Sequence, residues 1–421
     1  MKKLIIQGCK KLSGEVDISG SKNDSLPIIC ASLLTEHPVI LHNIPSIEDI
    51  KILLKIIKNI NVKVLTNSNK SIKIIASKIN KFKILSNLTE KIRASILLLS
   101  PLISRFGKAI IKLPGGCMIG KRPIDQHIKI FKSLGVKIKI KGELLIADCK
   151  CLIGSYICLD TVSVTGTENA LMVSVLAKGI TTIVNAALEP EIIDLSEFLI
   201  SMGALIFGHG TNRIYIKGVK KLYGINYKVI FDRIEAGTFL CAVAVIGGKI
   251  TLHRVNPFHM KYIIKKLNNI GLKINIGNNC IHASMNNRPK PIDITTSEYP
   301  GFITDMQSQF MVINTVAQGN SIIVENIFEN RFMHVNELSK LGANIKIENH
   351  IAKIKGIKNL YGCKVKATDL RASAGLIIAG LASKGLTYIE NIYHLYRGYD
   401  NLVSKLNSLG AKIKIISNNC T

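Results

Sequence analysis

The 421-residue sequence contains no tryptophan, and aromatic residues make up only 5% of it. It also lacks any Cys-x-x-Cys pair: its ten cysteines are scattered, and the closest two are Cys149 and Cys151. We therefore expect neither a zinc site nor a disulfide framework, and reduced thiols point to the cytoplasm. No apolar run is long enough to span a bilayer. Lys10 and Lys11 interrupt the apolar start of the chain too early for a signal peptide.

Acidic residues are scarce, since 56 lysines and arginines against 28 aspartates and glutamates leave a net charge of +28. Such a charge suggests a partner that is a nucleic acid or a membrane surface. The lysines, however, are scattered singly along alternating strands, as in residues 137–140 and 412–415, and there is no basic tail or basic helix. The abundance of lysine, isoleucine and asparagine indicates a genome rich in A and T. We therefore expect no nucleic-acid and no membrane partner, and a basic nucleic-acid-binding scaffold is the alternative from a different class.

Six copies of one pattern follow one another along the chain. In each copy a helix ends at a glycine or asparagine, and a short alternating strand follows at once. These cap positions are Asn61, Gly135, Gly203, Gly271, Gly342 and Gly410, separated by 74, 68, 68, 71 and 68 residues. Asparagine suits such a cap because it also tolerates the left-handed conformation. Copies of nearly equal length are a strong internal-repeat signal.

A second helix lies upstream of the cap in each repeat and is apolar on nearly all sides, so we expect it to be buried. Each repeat then reads strand, buried helix, strand, amphipathic helix, strand. Buried helices wrapped by outer sheets predict an α/β fold, with three repeats in each of two domains. We expect two early strands, at residues 3–6 and 15–18, to complete the last repeat. The predicted domains are residues 22–229, and residues 1–21 together with 230–421.

A glycine turn carries a single thiol within residues 112–123. Gly115 and Gly116 permit a sharp exposed loop, and cationic neighbours lower the pKa of a cysteine such as Cys117. Arg122 precedes a proline that suits the start of a helix, where exposed amides bind phosphate well. Cys117 is thus a candidate acid or nucleophile beside a phosphate site. An ordinary surface β-turn with an incidental cysteine is the alternative of about equal weight.

Charged residues recur where the buried helices begin. Asp305 and Asp369 each follow a threonine, so helix capping is the alternative to a functional role for both. A cation in a first turn opposes the helix dipole unless an anion is bound there. The cations at these places are Lys22, Arg93 and Arg371, with Arg122, Arg331 and Arg397 at or near the starts of the other helices. We infer a cleft between the domains for multiply anionic substrates, with acid–base chemistry between them.

Ten segments of the chain match the motifs of one family. They are Ser19-Gly-Ser-Lys-Asn, Ile92-Arg-Ala-Ser, Leu113-Pro-Gly-Gly-Cys, Gly120-Lys-Arg-Pro-Ile-Asp, Glu189-Pro-Glu-Ile, Asp232-Arg-Ile-Glu-Ala-Gly-Thr, Thr304-Asp-Met-Gln, Phe328-Glu-Asn-Arg-Phe-Met-His, Thr368-Asp-Leu-Arg-Ala-Ser and Tyr396-Arg-Gly-Tyr. Through them the chain resembles, over essentially its whole length, the UDP-N-acetylglucosamine 1-carboxyvinyltransferases of the enolpyruvyl transferase family. The resemblance implies two inside-out α/β barrel domains of three repeats each, in agreement with the repeat count.

The resemblance also implies a reaction. An enolpyruvyl group passes from phosphoenolpyruvate to the 3-hydroxyl of UDP-N-acetylglucosamine, and phosphate is released, by addition and elimination without metal or cofactor. This is the first committed step of peptidoglycan synthesis, and so of cell-wall biogenesis, cell shape and cell division. The expected partners are these two substrates alone, for a cytoplasmic and monomeric enzyme.

The site residues implied by the resemblance fall into two groups. In the chemistry, Cys117 protonates phosphoenolpyruvate and Asp305 accepts the proton of the sugar hydroxyl. Lys22, Arg122 and Arg397 hold the phosphate, and Arg331 and Arg371 help to bind the carboxylate and the developing charge. Asp369 acts near the thiol. Asn23 and Ile327 are assigned to the N-acetyl group, and Arg93, residues 122–126 and residues 161–164 to the nucleotide. The full set of substrate-binding residues is Lys22, Asn23, Arg93, Arg122, Pro123, Ile124, Asp125, Gln126, Thr161, Val162, Ser163, Val164, Asp305, Ile327, Arg331, Arg371 and Arg397.

Two positions depart from the family pattern: Thr161 stands where some relatives carry lysine, and Asn61 replaces a helix-ending glycine. The nearest alternative function belongs to the sister enolpyruvyl transferase of the shikimate pathway. That enzyme shares the fold and the chemistry but lacks the Pro-Gly-Gly-Cys loop found here at residues 114–117. A folded but inactive copy is a third possibility, which the intact set of charged residues disfavours.

Overall fold

A computed structural model describes residues 2–67, 70–113, 115 and 124–417. Two compact lobes are present. The first lobe contains the described residues from 20 to 230, and the second lobe contains residues 2–19 and 231–417. Among the residues described, the chain passes between the lobes after Ser19 and after Ile230.

The helices of the described residues alternate with short strands throughout. The α-helices are α1 (Lys22–Ala31), α2 (Glu48–Lys58), α3 (Leu99–Phe106), α4 (Asp125–Ser133), α5 (Val164–Ser174), α6 (Pro190–Ser201), α7 (Arg233–Ile246), α8 (Lys261–Asn269), α9 (Gln307–Val316), α10 (Val335–Lys340), α11 (Leu370–Ala382), α12 (Tyr393–Tyr396) and α13 (Leu402–Ser408). Short 3-10 helices span Ser32–Leu34, Thr89–Lys91, Arg93–Leu98, Pro257–Met260 and Thr304–Met306.

The strands of the described residues are β1 (Lys2–Gln7), β2 (Leu12–Asp17), β3 (Val39–His42), β4 (Lys63–Asn67), β5 (Ser71–Ile75), β6 (Lys83–Ile84), β7 (Lys108–Lys112), β8 (Lys137–Lys141), β9 (Leu144–Asp148), β10 (Tyr156–Cys158), β11 (Ile180–Val184), β12 (Leu205–Phe207), β13 (Arg213–Lys217), β14 (Asn226–Lys228), β15 (Gly248–His253), β16 (Lys273–Gly277), β17 (Cys280–Met285), β18 (Ile294–Thr295), β19 (Asn320–Val324), β20 (Asn344–Glu348), β21 (Ile351–Lys355), β22 (Leu360–Tyr361), β23 (Lys364–Lys366), β24 (Ser383–Lys384), β25 (Leu386–Glu390) and β26 (Lys412–Ser417).

Six four-stranded sheets correspond to the six sequence repeats, three in each lobe. Their strand orders are β14-β3-β5-β4, β6-β7-β9-β8 and β10-β11-β13-β12 in the first lobe, and β16-β17-β15-β2, β18-β19-β21-β20 and β23-β25-β1-β26 in the second. Each sheet has one parallel edge strand and two antiparallel pairings. Each repeat therefore has one strand more than predicted, because its last strand doubles back as a hairpin.

The local patterns explain these elements. Along β13 the side chains alternate between exposed and buried, which places Ile214 and Ile216 against the core. All six predicted caps have positive φ angles, from 66° at Asn61 to 103° at Gly203, so the repeat prediction is confirmed. The apolar helices α7 and α11 are buried along almost their whole length, as expected for helices inside a ring of sheets.

Two parallel edge strands, β2 and β14, pair with a strand that lies beyond a different inner helix from the one they precede. In four repeats the parallel edge strand precedes the inner helix, and its partner strand follows that same helix. By contrast, β2 precedes α1 but pairs with β15, which follows α7. Likewise β14 precedes α7 but pairs with β3, which follows α1. Each passage between the lobes thus falls between an edge strand and the inner helix next to it in sequence.

One expectation about the early strands is wrong. β1 does complete the last repeat, pairing with β25 and β26. β2 does not, because it is the parallel edge strand of the sheet that contains β15. Its alternating pattern fits an edge position in either sheet equally well, so the pattern alone could not choose between them. Within the described residues, no helix combines the length and apolarity needed to cross a membrane.

Candidate active site

Two buried arginines share one carboxylate in the second lobe. Asp305 Oδ1 accepts a hydrogen bond from Arg331 Nη2 at 3.0 Å, and Asp305 Oδ2 accepts one from Arg371 Nη2 at 2.8 Å. Asp305 lies in the 3-10 helix before α9, and Arg371 lies in the first turn of α11. The 3-10 helix has no side-chain cap, so helix capping does not account for Asp305. These ion pairs bring together three of the predicted site residues.

The guanidinium of Arg371 is suited to an anion. Its burial disfavours the charged form, but Asp305, Tyr399 and Asp232 together outweigh this effect and raise the pKa of Arg371 above its usual value. Its Nε and Nη1 atoms are buried and have no hydrogen-bond partner among the described residues. Buried donors are normally paired, because an unmade hydrogen bond is costly. A carboxylate or phosphate oxygen is the natural partner for them.

Asp369 caps the helix that carries Arg371. Its Oδ1 accepts from the backbone amides of Arg371 at 2.8 Å and Ala372 at 3.1 Å, so the capping role considered for this residue is present. Two histidines lie near it. Burial and the charge of Arg331 lower the pKa of His334 to about 4, although Asp369 opposes this. Burial and the charge of Arg397 lower the pKa of His394. Asp369 and Arg397 therefore share one neighbourhood.

A carboxylate that the sequence did not reveal organises this part of the second lobe. Glu325 is almost fully buried at the end of β19. Its Oε1 accepts from the backbone amides of Ile327 at 2.9 Å and Phe328 at 3.2 Å, and its Oε2 accepts from the Thr304 hydroxyl at 3.0 Å. It thus fixes the predicted contact residue Ile327 and the residue before Asp305. A lone glutamate after an alternating strand gives no local sign of this role.

Lys22 lies at the first position of α1 in the first lobe. Its Nζ atom is 2.9 Å from Oδ2 of Asp49, which lies in the first turn of α2, and both side chains are nearly buried. Ser21 caps α1 by accepting from the amide of Asp24, so Asn23 is held in the first turn as well. Sequence reasoning identified Lys22 and missed Asp49, which resembles any other acidic residue at a helix start.

Two helix starts are held side by side in the first lobe. Gln126 in α4 accepts from the backbone amide of Asp160 at 3.1 Å and donates to its Oδ2 at 3.1 Å. His127 lies 2.8 Å from the Asn169 amide nitrogen and 3.3 Å from the Thr165 hydroxyl, both in α5. Burial and the charge of Arg93 lower the pKa of His127 to about 3.

These contacts bring together most of the predicted nucleotide contacts. They connect Arg93, the segment with Ile124, Asp125 and Gln126, and the segment with Thr161, Val162, Ser163 and Val164. Ser163 caps α5 by accepting from the Gly166 amide at 3.1 Å. The neutral His127 and Asn169 are buried residues that the sequence did not reveal. Cys117, Arg122 and Pro123 lie outside the described residues, so their assigned roles stay predictions.

Within the described part of the chain, no three His, Cys, Asp or Glu side chains are arranged to hold a metal ion. The cations, helix starts and carboxylates instead suit the binding of anionic substrates and the transfer of protons. The site is therefore of the kind that joins anionic substrates by acid–base chemistry.

Comparisons with known proteins identify the family. The family model for EPSP synthase (3-phosphoshikimate 1-carboxyvinyltransferase) matches residues 6–406, so the chain belongs to the EPSP synthase family. It is similar to the enolpyruvyl transferase NikO from Streptomyces tendae, with 25% identity over 99% of both chains and a TM-score of 0.88. Two structures of EPSP synthase from Acinetobacter baumannii share 18% and 19% identity, cover 99% of this chain and 100% of their own, and have TM-scores of 0.76.

The predicted fold class is thereby confirmed: the chain has the α/β fold of two inside-out barrels found in these relatives. The chain is an enolpyruvyl transferase that takes its enolpyruvyl group from phosphoenolpyruvate. The acceptor is left open, since the family model is that of EPSP synthase whereas a similar solved structure is the enolpyruvyl transferase NikO.

Proposed function

We propose that the acceptor is the 3-hydroxyl of UDP-N-acetylglucosamine, and that the protein is a UDP-N-acetylglucosamine 1-carboxyvinyltransferase of the MurA type. The observation that carries this choice is the pair of helix starts beside Arg93 in the first lobe. The first turns of α4 and α5 are joined through His127 and Thr165, and Gln126 also holds Asp160, which precedes the cap of α5. Two adjacent helix starts offer two sets of exposed amides and two positive dipole ends. A diphosphate uses both sets, whereas an acceptor with a single phosphate uses one.

The proposed reaction assigns separate tasks to the cluster in the second lobe. The sugar hydroxyl oxygen adds to C2 of phosphoenolpyruvate while Asp305 accepts the hydroxyl proton. The thiol of Cys117 donates a proton to the methylene carbon C3, which gives a tetrahedral intermediate. Loss of phosphate from C2 and of a proton from C3 then restores the double bond. Asp305 suits its task because its side chain remains 29% exposed while its arginine partners are buried.

Fixed cations lower the barrier in this proposal. Arg331 and Arg371 hold the carboxylate of phosphoenolpyruvate and the charge that develops on the intermediate. Lys22, Arg122 and Arg397 hold the phosphate that leaves. Buried guanidinium groups with prearranged partners need little reorganisation when that charge develops, so they stabilise the transition state more than mobile solvent would. Asp369, which we assign to the chemistry near the thiol, caps the helix α11 that carries Arg371.

The cellular role follows from the acceptor. With UDP-N-acetylglucosamine as acceptor, the product is a precursor for peptidoglycan, and we place the reaction in the cytoplasm, carried out by a monomer without metal or cofactor. Shikimate 3-phosphate is the competing acceptor, because the matching family model is that of EPSP synthase.

The choice of acceptor is tested by product formation with three compounds: UDP-N-acetylglucosamine, N-acetylglucosamine 1-phosphate and shikimate 3-phosphate. The proposal predicts turnover with UDP-N-acetylglucosamine. For N-acetylglucosamine 1-phosphate, which lacks one phosphate and the nucleoside, we expect kcat/KM to be at least about a hundredfold lower. Arg93→Ala should reduce the ratio of kcat/KM between the sugar nucleotide and the sugar phosphate. Lys91→Ala, which removes a charge two residues earlier, should leave this ratio unchanged. Turnover with shikimate 3-phosphate alone would overturn the proposal.

A further inference from the structure

A buried hydroxyl joins the inner helices of the second lobe. Tyr399 is 3% exposed. Its hydroxyl oxygen is 3.0 Å from Oγ1 of Thr238 in α7 and accepts from Nε2 of Gln309 in α9 at 3.3 Å. The same Nε2 atom also donates to Thr238 Oγ1 at 3.1 Å. Burial raises the pKa of Tyr399, so its hydroxyl keeps the proton that this network uses.

The ring of Tyr399 faces the side chain that the mechanism needs most. The central carbon of the Arg371 guanidinium lies 5.5 Å from the centre of the Tyr399 ring. A cation above an aromatic face is attracted by the ring quadrupole, most strongly where water is excluded. Arg371 is itself 3% exposed, so this contact is desolvated.

Two contacts therefore restrain the Arg371 guanidinium, on different parts of the group. Asp305 accepts from Nη2, and the guanidinium carbon lies over the ring of Tyr399. Nε and Nη1 are left without a partner among the described residues. The main chain of Arg371 is restrained too, since the Ser308 hydroxyl donates to its carbonyl oxygen at 2.9 Å. The unpartnered donors are thus held in one direction before any substrate binds.

We propose that Tyr399 is a positioning residue for the enolpyruvyl transfer: its ring holds the Arg371 guanidinium in the orientation that receives the anion of phosphoenolpyruvate. The hydroxyl anchors the ring to α7 and α9 and also lies within hydrogen-bonding reach of Arg371. The inference rests on the role proposed for Arg371 but not on the identity of the acceptor. Preorganisation of this kind strengthens binding because the side chain loses less freedom when the ligand arrives.

Two substitutions separate the ring from the hydroxyl. Tyr399→Leu removes both, and Tyr399→Phe keeps the ring. Phe239→Leu trims an equally buried ring in α7 and is the control for lost packing. We expect Tyr399→Leu to raise the KM for phosphoenolpyruvate about tenfold or more with whichever acceptor the wild type uses, a factor expected from a desolvated cation–π contact. Tyr399→Phe and the control should stay within about threefold of wild type.

A second readout needs no turnover. In the unliganded protein the Nε–H resonance of Arg371, assigned by its loss in Arg371→Lys, should be shifted upfield by the ring current of Tyr399. We expect this shift to persist in Tyr399→Phe and to vanish in Tyr399→Leu. An Arg371 resonance that is unchanged in Tyr399→Leu would overturn the proposal. So would a KM that rises equally in Tyr399→Leu and Phe239→Leu. A wrong acceptor, by contrast, would alter turnover and leave the resonance as expected.

Discussion

The Asp305 carboxylate lies 2.8 Å from Nη2 of Arg371, although 66 residues separate the two in the chain. The contact joins the starts of two inner helices of the second lobe. Its two partners differ in burial, because Arg371 is enclosed whereas the Asp305 side chain is 29% exposed. The arrangement presents a reachable carboxylate directly beside a fixed cation. It suits a reaction in which a neutral hydroxyl must lose a proton while it adds to an anionic substrate.

Replacing Asp305 tests its proposed role as proton acceptor. Asp305→Asn keeps the size of the side chain and can still accept from one arginine, but an amide cannot take up the proton. We expect kcat to fall by about 10²- to 10⁴-fold, the usual contribution of a positioned base. Steady-state phosphate release measures this directly. Asp17→Asn, which breaks only an exposed pair with Arg254, should leave kcat unchanged. A kcat for Asp305→Asn near that of wild type would refute the assignment.

Asp49 should be required for the position of Lys22. In Asp49→Asn the buried ammonium of Lys22 loses the carboxylate at 2.9 Å. Removing one member of a buried charge pair costs about 3–5 kcal/mol. We therefore expect a lower midpoint of thermal unfolding and a raised KM for phosphoenolpyruvate. The matched control is Glu48→Gln in the same helical turn, because its pair with Lys51 is exposed and worth about 0–1 kcal/mol. Equal behaviour of the two variants would contradict this account.

Glu235 should give the free energy of unfolding a distinctive pH dependence. It is buried in α7 and contacts Lys405; burial raises its pKa from 4.5 to about 7, although Lys405 opposes the shift. Between about pH 4.5 and pH 7, Glu235 therefore holds a proton in the folded protein that it has lost in the unfolded chain. Stability from this group is therefore complete below about pH 4.5 and declines as pH rises to about 7. The total is about 3 kcal/mol, from the size of the shift.

Urea unfolding of wild type and Glu235→Gln from pH 4.5 to 8 measures this effect. The glutamine does not titrate, so the stability difference, wild type minus variant, should decline with rising pH and level off above about pH 7. Glu348→Gln is the control, because lysines lower the pKa of this exposed glutamate and its small effect has the opposite sign. A stability difference that does not change with pH would rule out the raised pKa of Glu235.

The pairing of β2 with β15 can be tested at a glycine. Gly248 has a φ of +113°, and a Cβ there would lie 2.0 Å from the carbonyl oxygen of Leu12, its partner in β2. Gly248→Ala should therefore destabilise the protein by about 3 kcal/mol or more, through strain and the clash with the backbone. Gly385→Ala is matched to it, with a φ of +88° and open space around the added atom. It should cost about 1–2 kcal/mol in urea unfolding, the strain alone. Equal losses would argue against the close approach of β2.

Much of the fold could be predicted because its signals are local. The six caps need a residue that tolerates positive φ, and the sequence places glycine or asparagine at each. The inner helices are apolar on all sides, which marks them as buried. Pairing between distant strands has no such signal. The sequences of β2 and β14 suit any parallel edge position. Only the packing of whole sheets decides that β2 pairs with β15 and β14 with β3.

The site likewise contains residues that the sequence reveals and residues that it does not. Arginines at helix starts could be recognised because they oppose the helix dipole unless an anion is bound. The residues that hold these cations in place could not be recognised from the sequence. Asp49 and Tyr399 are not near Lys22 and Arg371 in the chain, and they look locally like an ordinary helix-start acid and an ordinary core aromatic. Only the folded chain reveals which carboxylate or ring meets which cation.

The choice of acceptor is the central claim, and phosphate release from phosphoenolpyruvate tests it most directly. Wild type and Cys117→Ser should be assayed with UDP-N-acetylglucosamine, with shikimate 3-phosphate and with no acceptor. We predict that wild type releases phosphate only with the sugar nucleotide and that Cys117→Ser is severely impaired. Release with shikimate 3-phosphate but not with UDP-N-acetylglucosamine would contradict the account and make the protein an EPSP synthase.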